Sequence, residues 1–259
     1  MTTRGAFRIR PLASERDLDQ CIALQRRTWG NDFRELVPAA LLLIAERMGG
    51  IAAGAFDARG RLGGFVFGIT GVSDGRLAHW SHMLAVAPAW RDQGVGRRLK
   101  RYQRTRLRRL GVDRVYWTYD PLIARNAHLN LDRLGARVLE YRRDVYGRVA
   151  RSTTDTVIGS DRFVVAWDLD AARPRRPAVP RGTPIVDPDT KRLPAGSPVL
   201  VAVPADIQTL KRRRPALAKA WRATTRRAFE HYLAHGYHVT GFVPTMAHDG
   251  AYVLERDRA

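Results

Sequence analysis

The 259-residue sequence predicts an α/β protein: a mixed, mostly antiparallel sheet flanked by helices, followed by a smaller C-terminal α/β extension. Three observations predict it. Hydrophobic periodicity switches between the strand and helix periods in the order strand, helix, helix, three strands, helix, strand, helix, two strands. The turn signals Asp57 to Gly60 and Ser73-Asp74-Gly75 separate the three central strands closely enough for an antiparallel meander. A stretch rich in proline and arginine, residues 171–198, then sets off the C-terminal part. The expected organisation is a main domain over 1–170, a linker over 171–198 and an extension over 199–259.

Each element follows from its residues. "FRIRPL" (7–12) alternates apolar and charged residues as a strand does, and Leu18, Cys21, Leu24 and Trp29 then recur at helical intervals. Pro38 suits the first turn of a second helix, "PAALLLIAERMG", which Gly49 stops. "GIAAGAFDARG", "RLGGFVFGITGV" and "LAHWSHMLAVAP" form the meander, which Pro88 ends. Residues 96–110 form a helix with an apolar stripe of Leu99, Tyr102, Leu107 and Leu110, stopped by Gly111. "DRVYWTYD" is the next strand and "ARNAHLNLDRLG" the next helix, before two closing strands, "ARVLEYRRDVYG" and "RFVVAWDL". In the extension, "PVLVAVP" is a strand, one long helix runs from about Asp206 to His235, and "YHVTGFV" and "AYVLER" are strands.

Composition narrows the partners. The chain has 45 basic against 25 acidic residues, a net charge of +20, which by itself would attract a polyanion. Lysine occurs only at Lys100, Lys191, Lys211 and Lys219, and the arginines are scattered through almost every segment rather than gathered in a block. That distribution reads as a solvated arginine-rich surface, so nucleic acid is not the expected partner. A single cysteine, Cys21, excludes an intramolecular disulfide and a cysteine-based zinc site, and its apolar helical setting reads as core. The start "MTTRGAFRIRPL" lacks the apolar stretch of a secretory signal, and no apolar run reaches the roughly 18–20 residues that cross a bilayer. A cytoplasmic protein, with no membrane partner and no metal, is expected.

The stretch "AVAPAWRDQGVGRRLKRY" (85–102) runs a strand into Gly94-x-Gly96 at the head of a helix. Such a junction binds anions, because the first helical N–H groups lack backbone partners and the helix dipole presents its positive end. A dinucleotide fold would need a third glycine where Leu99 stands, and a nucleotide triphosphatase would need lysine and a hydroxyl where Arg97 and Arg98 stand.

The pattern Val86-x-Pro88-x-x-Arg91-x-x-Gly94-x-Gly96 resembles the coenzyme A pyrophosphate loop of the GCN5-related N-acetyltransferase (GNAT) superfamily. Joined to the meander before it and "RLGA" after the next helix, the resemblance spans residues 7–170, about two thirds of the chain. It implies acetyl-CoA or another acyl-CoA as co-substrate. Backbone groups of Arg91, Asp92, Gln93, Gly94, Val95, Gly96 and Arg97 would then hold the pyrophosphate, and Leu84, Ala85 and Val86 would pair with the pantetheine arm as an added strand would. Arg97, Arg98 or Arg101 could meet the 3′-phosphate, or line a solvated helix face.

Acyl transfer to nitrogen needs a neutral amine, and an alkylamine of pKa about 10 is mostly ammonium at pH 7. His82, on the strand before the loop and on the same face as Trp80 and Leu84 by alternation, is the candidate base, with a satisfied core histidine, or one merely lining the cleft, as the competing reading. The stretch "HMLAVAPAWRDQGVG" is also similar to the arylalkylamine N-acetyltransferases, where a histidine at this position helps remove the amine proton. His79 faces the other way. The tyrosine with which the family commonly protonates the leaving thiolate falls, by its spacing, on Leu131. Tyr119, Tyr141 and Tyr146 are substitutes by sequence. The tail "RAFEHYLAHGYHVTGF" resembles the family's second half and puts Tyr232 in that register, so Tyr232 is either a general acid from a degenerate half-repeat or core of the tail. Asn126 and Asn130, one helical turn apart, share a face from which Asn126 could contact pantetheine and Asn130 the acceptor. Arg34, in "GNDFREL", suits an acceptor carboxylate. The wording "TYDPLIARNAHLN" is similar to a bacterial branch of the superfamily for which acylation of amino acids, from succinyl-CoA among other donors, is implied.

The expected function is therefore transfer of an acetyl or succinyl group from coenzyme A to the amine of a small molecule, an amino acid being one option, by a chain that could pair as a homodimer. Two other classes remain open at this stage. One is an acyl-CoA-binding regulatory module without turnover, which Leu131 in place of tyrosine allows. The other is a nucleic-acid-associated basic protein.

Overall fold

The computed structural model describes residues 7–145, 158–172, 176–245 and 249–256. They form a seven-stranded, mostly antiparallel sheet and a separate four-stranded sheet, both accompanied by helices. The first sheet has the order β1-β2-β3-β4-β5-β7-β6, from β1 (Arg8–Pro11), β2 (Ile51–Phe56), β3 (Leu62–Ser73), β4 (Arg76–Val86), β5 (Arg114–Tyr119), β6 (Arg137–Arg142) and β7 (Arg162–Asp168). The second has the order β10-β11-β9-β8, from β8 (Ile185–Val186), β9 (Val199–Val203), β10 (Tyr237–Val243) and β11 (Gly250–Arg256). By compactness the chain makes two units, one holding the described residues up to Trp117 with Asp168–Asp170, the other holding the rest.

In the first unit the predicted meander is present: β2 pairs with β3 and β3 with β4, all antiparallel, while β4 pairs with β5 in parallel. Helix α1 (Glu15–Trp29) begins in a capping box: the Ser14 hydroxyl accepts from the Asp17 N–H, and the Asp17 carboxylate accepts from the Ser14 N–H. The Arg10 guanidinium also grips that carboxylate, which ties β1 to the helix start. Helix α2 (Ala39–Arg47) follows Pro38. The core between these helices and the sheet joins Leu18, Cys21, Leu24 and Leu42 to Phe56, Phe65, Phe67, Met83 and Ala85. Cys21 is fully buried there, and burial pushes its thiol up to about 12, the inert state of a packed cysteine.

Helix α3 (Val95–Arg109) buries Leu99 and Leu107 as its pattern predicts, but Leu110 lies past its end and is exposed. The buried face holds Lys100 and Gln103 as well, which polar character alone would have put in solvent.

The second unit corrects three expectations. Residues 171–198 are not linker throughout, because β8 pairs in parallel with β9. The helix expected from Asp206 to His235 is two helices, α5 (Ile207–Arg213) and α6 (Pro215–Ala234). Pro215 cannot donate an N–H and drives Arg214 out of helical geometry, to φ −141° and ψ 65°. The helix after β5 begins as a single α turn, α4 (Ala124–Ala127), and continues as a π-helix over His128–Leu134. In this helix Asn130 is buried and Asn126 is half-exposed.

Candidate active site

Strand β4 carries the site. Its burial alternates: His79, Ser81, Met83 and Ala85 point inward, while Trp80 and His82 stand on the accessible face with Leu84 half-buried. Between the pairs Ile69↔Trp80 and Phe67↔Met83, β4 sets two residues, Ser81 and His82, against the single Gly68 of β3. This is a β-bulge, which re-aims the side chains around it. Gly68 has no room for a side chain, since a Cβ there would lie 2.3 Å from the His79 ring. The β4–β5 ladder spans only Ala78–Trp80 against Arg114–Tyr116. Among the described residues no strand is laddered to the far edge of Ser81–Val86, which leaves main-chain groups of Leu84, Ala85 and Val86 for an extended ligand.

The chain then turns through a single 3₁₀ turn, Pro88–Trp90, into α3. Trp90 settles on Gly63, where a Cβ would come within 1.9 Å of its indole, and a Cβ on Gly64 would lie 2.9 Å from the Ala85 carbonyl. The two glycines of β3 thus seat the loop. Arg91 Nε donates to the Val86 carbonyl (3.3 Å) and Gln93 Nε2 to the Ala89 carbonyl (2.9 Å). Asp92 takes φ 62° and Gly94 φ 77°, both left-handed, so the backbone reverses twice before the helix. Among the described residues, no side chain caps α3. The N–H groups of Val95, Gly96 and Arg97 therefore face outward at the positive end of a 15-residue helix. Arg97 and Arg101 are exposed, whereas Arg98 donates to the Phe7 carbonyl (3.0 Å) with its guanidinium 4.0 Å from the Phe7 ring centroid.

His82 packs edge-on to Phe67, with ring centroids 6.1 Å apart at 81°, and burial of part of its surface pulls it below the ordinary histidine value. It is mostly neutral at pH 7, the state that accepts a proton. Arg34 is exposed in the turn between α1 and α2. Gln25 anchors that turn by accepting from the Val37 N–H (2.8 Å) and donating to the Val37 carbonyl (3.1 Å).

A strand that bulges, ends in an uncapped helix start and exposes one main-chain edge can hold an extended, phosphorylated thioester. The model of the acetyltransferase (GNAT) family matches residues 18–131 of the chain, the span from α1 to the π-helix. Residues 18–131 form a GNAT acetyltransferase domain. The enzyme class is that of the N-acetyltransferases, a family for which acetyl-CoA is the typical co-substrate. Solved structures share the fold of the GNAT domain at low identity. Salmonella typhimurium yncA, solved with its cofactor acetyl-CoA, is 19% identical over 68% of this chain and 99% of its own, with a TM-score of 0.50. The ribosomal-protein-alanine N-acetyltransferase of Brucella melitensis is 19% identical over 62% of this chain and 99% of its own, also at 0.50. An N-acetyltransferase of Staphylococcus aureus Mu50 is 13% identical over 64% and 99%, again at 0.50. No curated protein matches the chain by sequence.

The remaining candidates of the GNAT domain and its extension lie in the second unit. Leu131 is buried in the π-helix. Tyr119 is buried beside Phe163, with ring centroids 5.8 Å apart, and burial pushes its phenol above the ordinary tyrosine value. The Tyr141 hydroxyl donates to Asp161, and Tyr146 lies outside the described residues. Tyr232 is 1% exposed and donates its hydroxyl to the Pro194 carbonyl (2.8 Å), within the second unit. Burial pushes it up to about 12. Among the described residues, no helix is long and apolar enough to cross a membrane, and no three His, Cys, Asp or Glu side chains gather as metal ligands.

Sequence reasoning passed over Lys100. Its ammonium, 2% exposed, donates to the Ser81 hydroxyl (2.8 Å) and to Gln103 Oε1 (3.1 Å), and lies 4.0 Å from the centroid of the Trp117 ring. Burial pulls it down to about 7. No signal short of the fold distinguishes this lysine from a solvated one.

Proposed function

We propose that the GNAT domain acylates the primary amine of a small molecule, an amino acid in the first instance, from acetyl-CoA or succinyl-CoA. The observation that carries the reading is the uncapped start of α3 directly after a strand whose far edge is open over Ser81–Val86. Acyl-CoA supplies the activated carbonyl. The N–H groups from Arg91 to Arg97 bind its pyrophosphate, with Arg97 and Arg101 placed for the 3′-phosphate, while Leu84, Ala85 and Val86 hold the pantetheine arm. His82, mostly neutral at working pH, takes the proton that the acceptor ammonium must lose. The amine nitrogen then bonds to the thioester carbonyl carbon, the carbon–sulfur bond breaks, and the sulfur leaves as thiolate. A thiol of pKa about 8.5 departs at neutral pH without a dedicated acid. Tyr119 and Tyr232, both buried and the latter bonded to a carbonyl, therefore have no part in the proposed step. Arg34 is the proposed partner of an acceptor carboxylate.

Calorimetric titration with acetyl-CoA and succinyl-CoA, followed by a free-thiol release assay over a panel of amines and amino acids, tests the reading. The expected result is micromolar binding with amine-dependent thiol release that falls at least about tenfold in His82→Ala. Binding without turnover would support a regulatory acyl-CoA module instead, and absence of binding would overturn the reading.

A further inference from the structure

The bulge that presents His82 is held from beneath. The side chain of Ser81, its neighbour, points inward toward α3, where it meets Lys100 Nζ at 2.8 Å and Gln103 Nε2 at 3.2 Å. Lys100 and Gln103 are three residues apart and so share one helix face, and the Lys100 ammonium also donates to Gln103 Oε1. Gln103 Nε2 reaches His79 Nε2 (3.0 Å), and His79 Nδ1 reaches the Thr70 hydroxyl (2.9 Å), which itself donates to the Gly49 carbonyl (2.7 Å). Because the Thr70 proton is spent on Gly49, its oxygen accepts from His79 Nδ1–H, and His79 Nε2 accepts from Gln103. Burial, with the Lys100 charge adding to it, holds His79 down to about 3, so the ring stays neutral. Each donor and acceptor in the chain then has a consistent direction, ending on the one residue that adjoins His82.

We infer that Lys100 is a positioning residue: by holding Ser81 from α3 it fixes the Ser81–His82 bulge and thereby the placement of His82. The inference rests on the proposed role of His82. A buried ammonium is an expensive way to pack a helix against a strand, and an apolar side chain of similar volume would seal the same space at lower cost. What the ammonium adds is direction. It offers three hydrogens in a fixed arrangement, to Ser81, to Gln103 and toward the Trp117 ring face, and a methylene chain offers none. A bulge is the place where such direction matters, because a slip of one residue on β4 would turn His82 inward and Ser81 outward.

The test uses the full chain and needs no substrate for its first arm. NMR of the histidine Cε1–H groups, with the His82 signal assigned by its loss in His82→Ala, follows the titration of His82 in wild type, Lys100→Met and Ser81→Ala. Lys100→Met should fold with a melting temperature equal to or above wild type and bind acetyl-CoA within about threefold of it. In both variants the His82 midpoint should move toward the ordinary histidine value by roughly half a pH unit or more as the bulge relaxes. In the second arm kcat should fall about tenfold in each with little change in KM, and the double variant should be no worse than either single one. An unmoved His82 titration in Ser81→Ala and Lys100→Met would overturn the inference, as would additive losses. Failure of wild type to release thiol would instead sink the proposed function, while the titration arm still decides the role of Lys100.

Discussion

Trp90 occupies the space above Gly63: a Cβ on that glycine would stand 1.9 Å from the indole Cδ2. The indole belongs to the turn that delivers β4 into α3, so this contact fixes the height over the sheet of the loop that leads into α3. In Gly63→Ala the indole must move, because the clash is with ring atoms near the root of the side chain rather than a flexible tip. The expected cost is about 1–3 kcal/mol of stability, the range for overpacking a filled site. Acetyl-CoA affinity should weaken as the loop lifts. Urea unfolding and calorimetry on the one variant check both, and unchanged affinity would show that Trp90 does not set the loop.

Gly94 is glycine for a different reason. A Cβ there would meet nothing within 4 Å, but φ is +77° at the residue that opens α3. Gly94→Ala should therefore cost about 1–2 kcal/mol through backbone strain, and the chain can relieve it only by reorienting the first helical N–H groups. Acetyl-CoA binding should weaken about tenfold, the equivalent of about 1.4 kcal/mol. Gly94→Asn, which tolerates the left-handed region, should retain most of the affinity. Equal losses in the two variants would mean that side-chain bulk against the ligand, not φ, is what position 94 excludes.

The two histidines of β4 set the acid side of the pH response. His82 and His79 both titrate below the ordinary histidine value, His79 at about 3. The unfolded chain takes up protons near pH 6.5 that the folded chain refuses, so their stabilisation is complete above about pH 6.5 and is lost as pH falls toward the folded values. Two readouts separate them. The kcat/KM profile should fall on the acid side with a midpoint below 6.5 that disappears in His82→Ala. Chemical unfolding between pH 4 and 7 should show a decline that His79→Gln flattens.

The fold and the loop were legible because punctuation residues announce them. Asp57 to Gly60, Ser73-Asp74-Gly75 and Pro88 mark the meander, and Gly94 and Gly96 mark the helix start. What escaped was what a side chain touches. Lys100 and Gln103 sit on the face of α3 that Leu99 and Leu107 bury, and partners distant in sequence, Ser81 and His79 among them, make that burial tolerable. The change from α to π geometry after Ala127 comes without any residue type that signals it. Pro215, by contrast, was a signal present in the sequence, and the break between α5 and α6 follows from it. Strand β8 is two residues long, too short for alternation to register.

In the second unit, Asp120 and Arg222 form a buried pair whose two halves are not equivalent. Arg222 Nη2 donates to Asp120 at 2.8 Å with its side chain 4% exposed, while its Nε and Nη1 find no hydrogen-bond partner among the described residues. Asp120 has further support from the Leu122 N–H (2.9 Å) and from Arg162 at 3.9 Å. Removing the carboxylate strands a buried guanidinium, so Asp120→Asn should cost about 3–5 kcal/mol. Arg222→Met should cost less, because Asp120 keeps Arg162 and the backbone bond and an apolar stem refills the space. Burial works against the charged carboxylate, but Arg222 and Arg162 outweigh it and hold Asp120 below the ordinary aspartate value. Its contribution is therefore complete above about pH 3.9 and lost as pH falls through the lower folded value. In Arg222→Met that loss should begin at higher pH, since the larger of the two attractions is gone. Urea unfolding of the three proteins between pH 3 and 7 tests the order, and Arg222→Met costing as much as Asp120→Asn would show that the guanidinium, not the carboxylate, is the better-supported half.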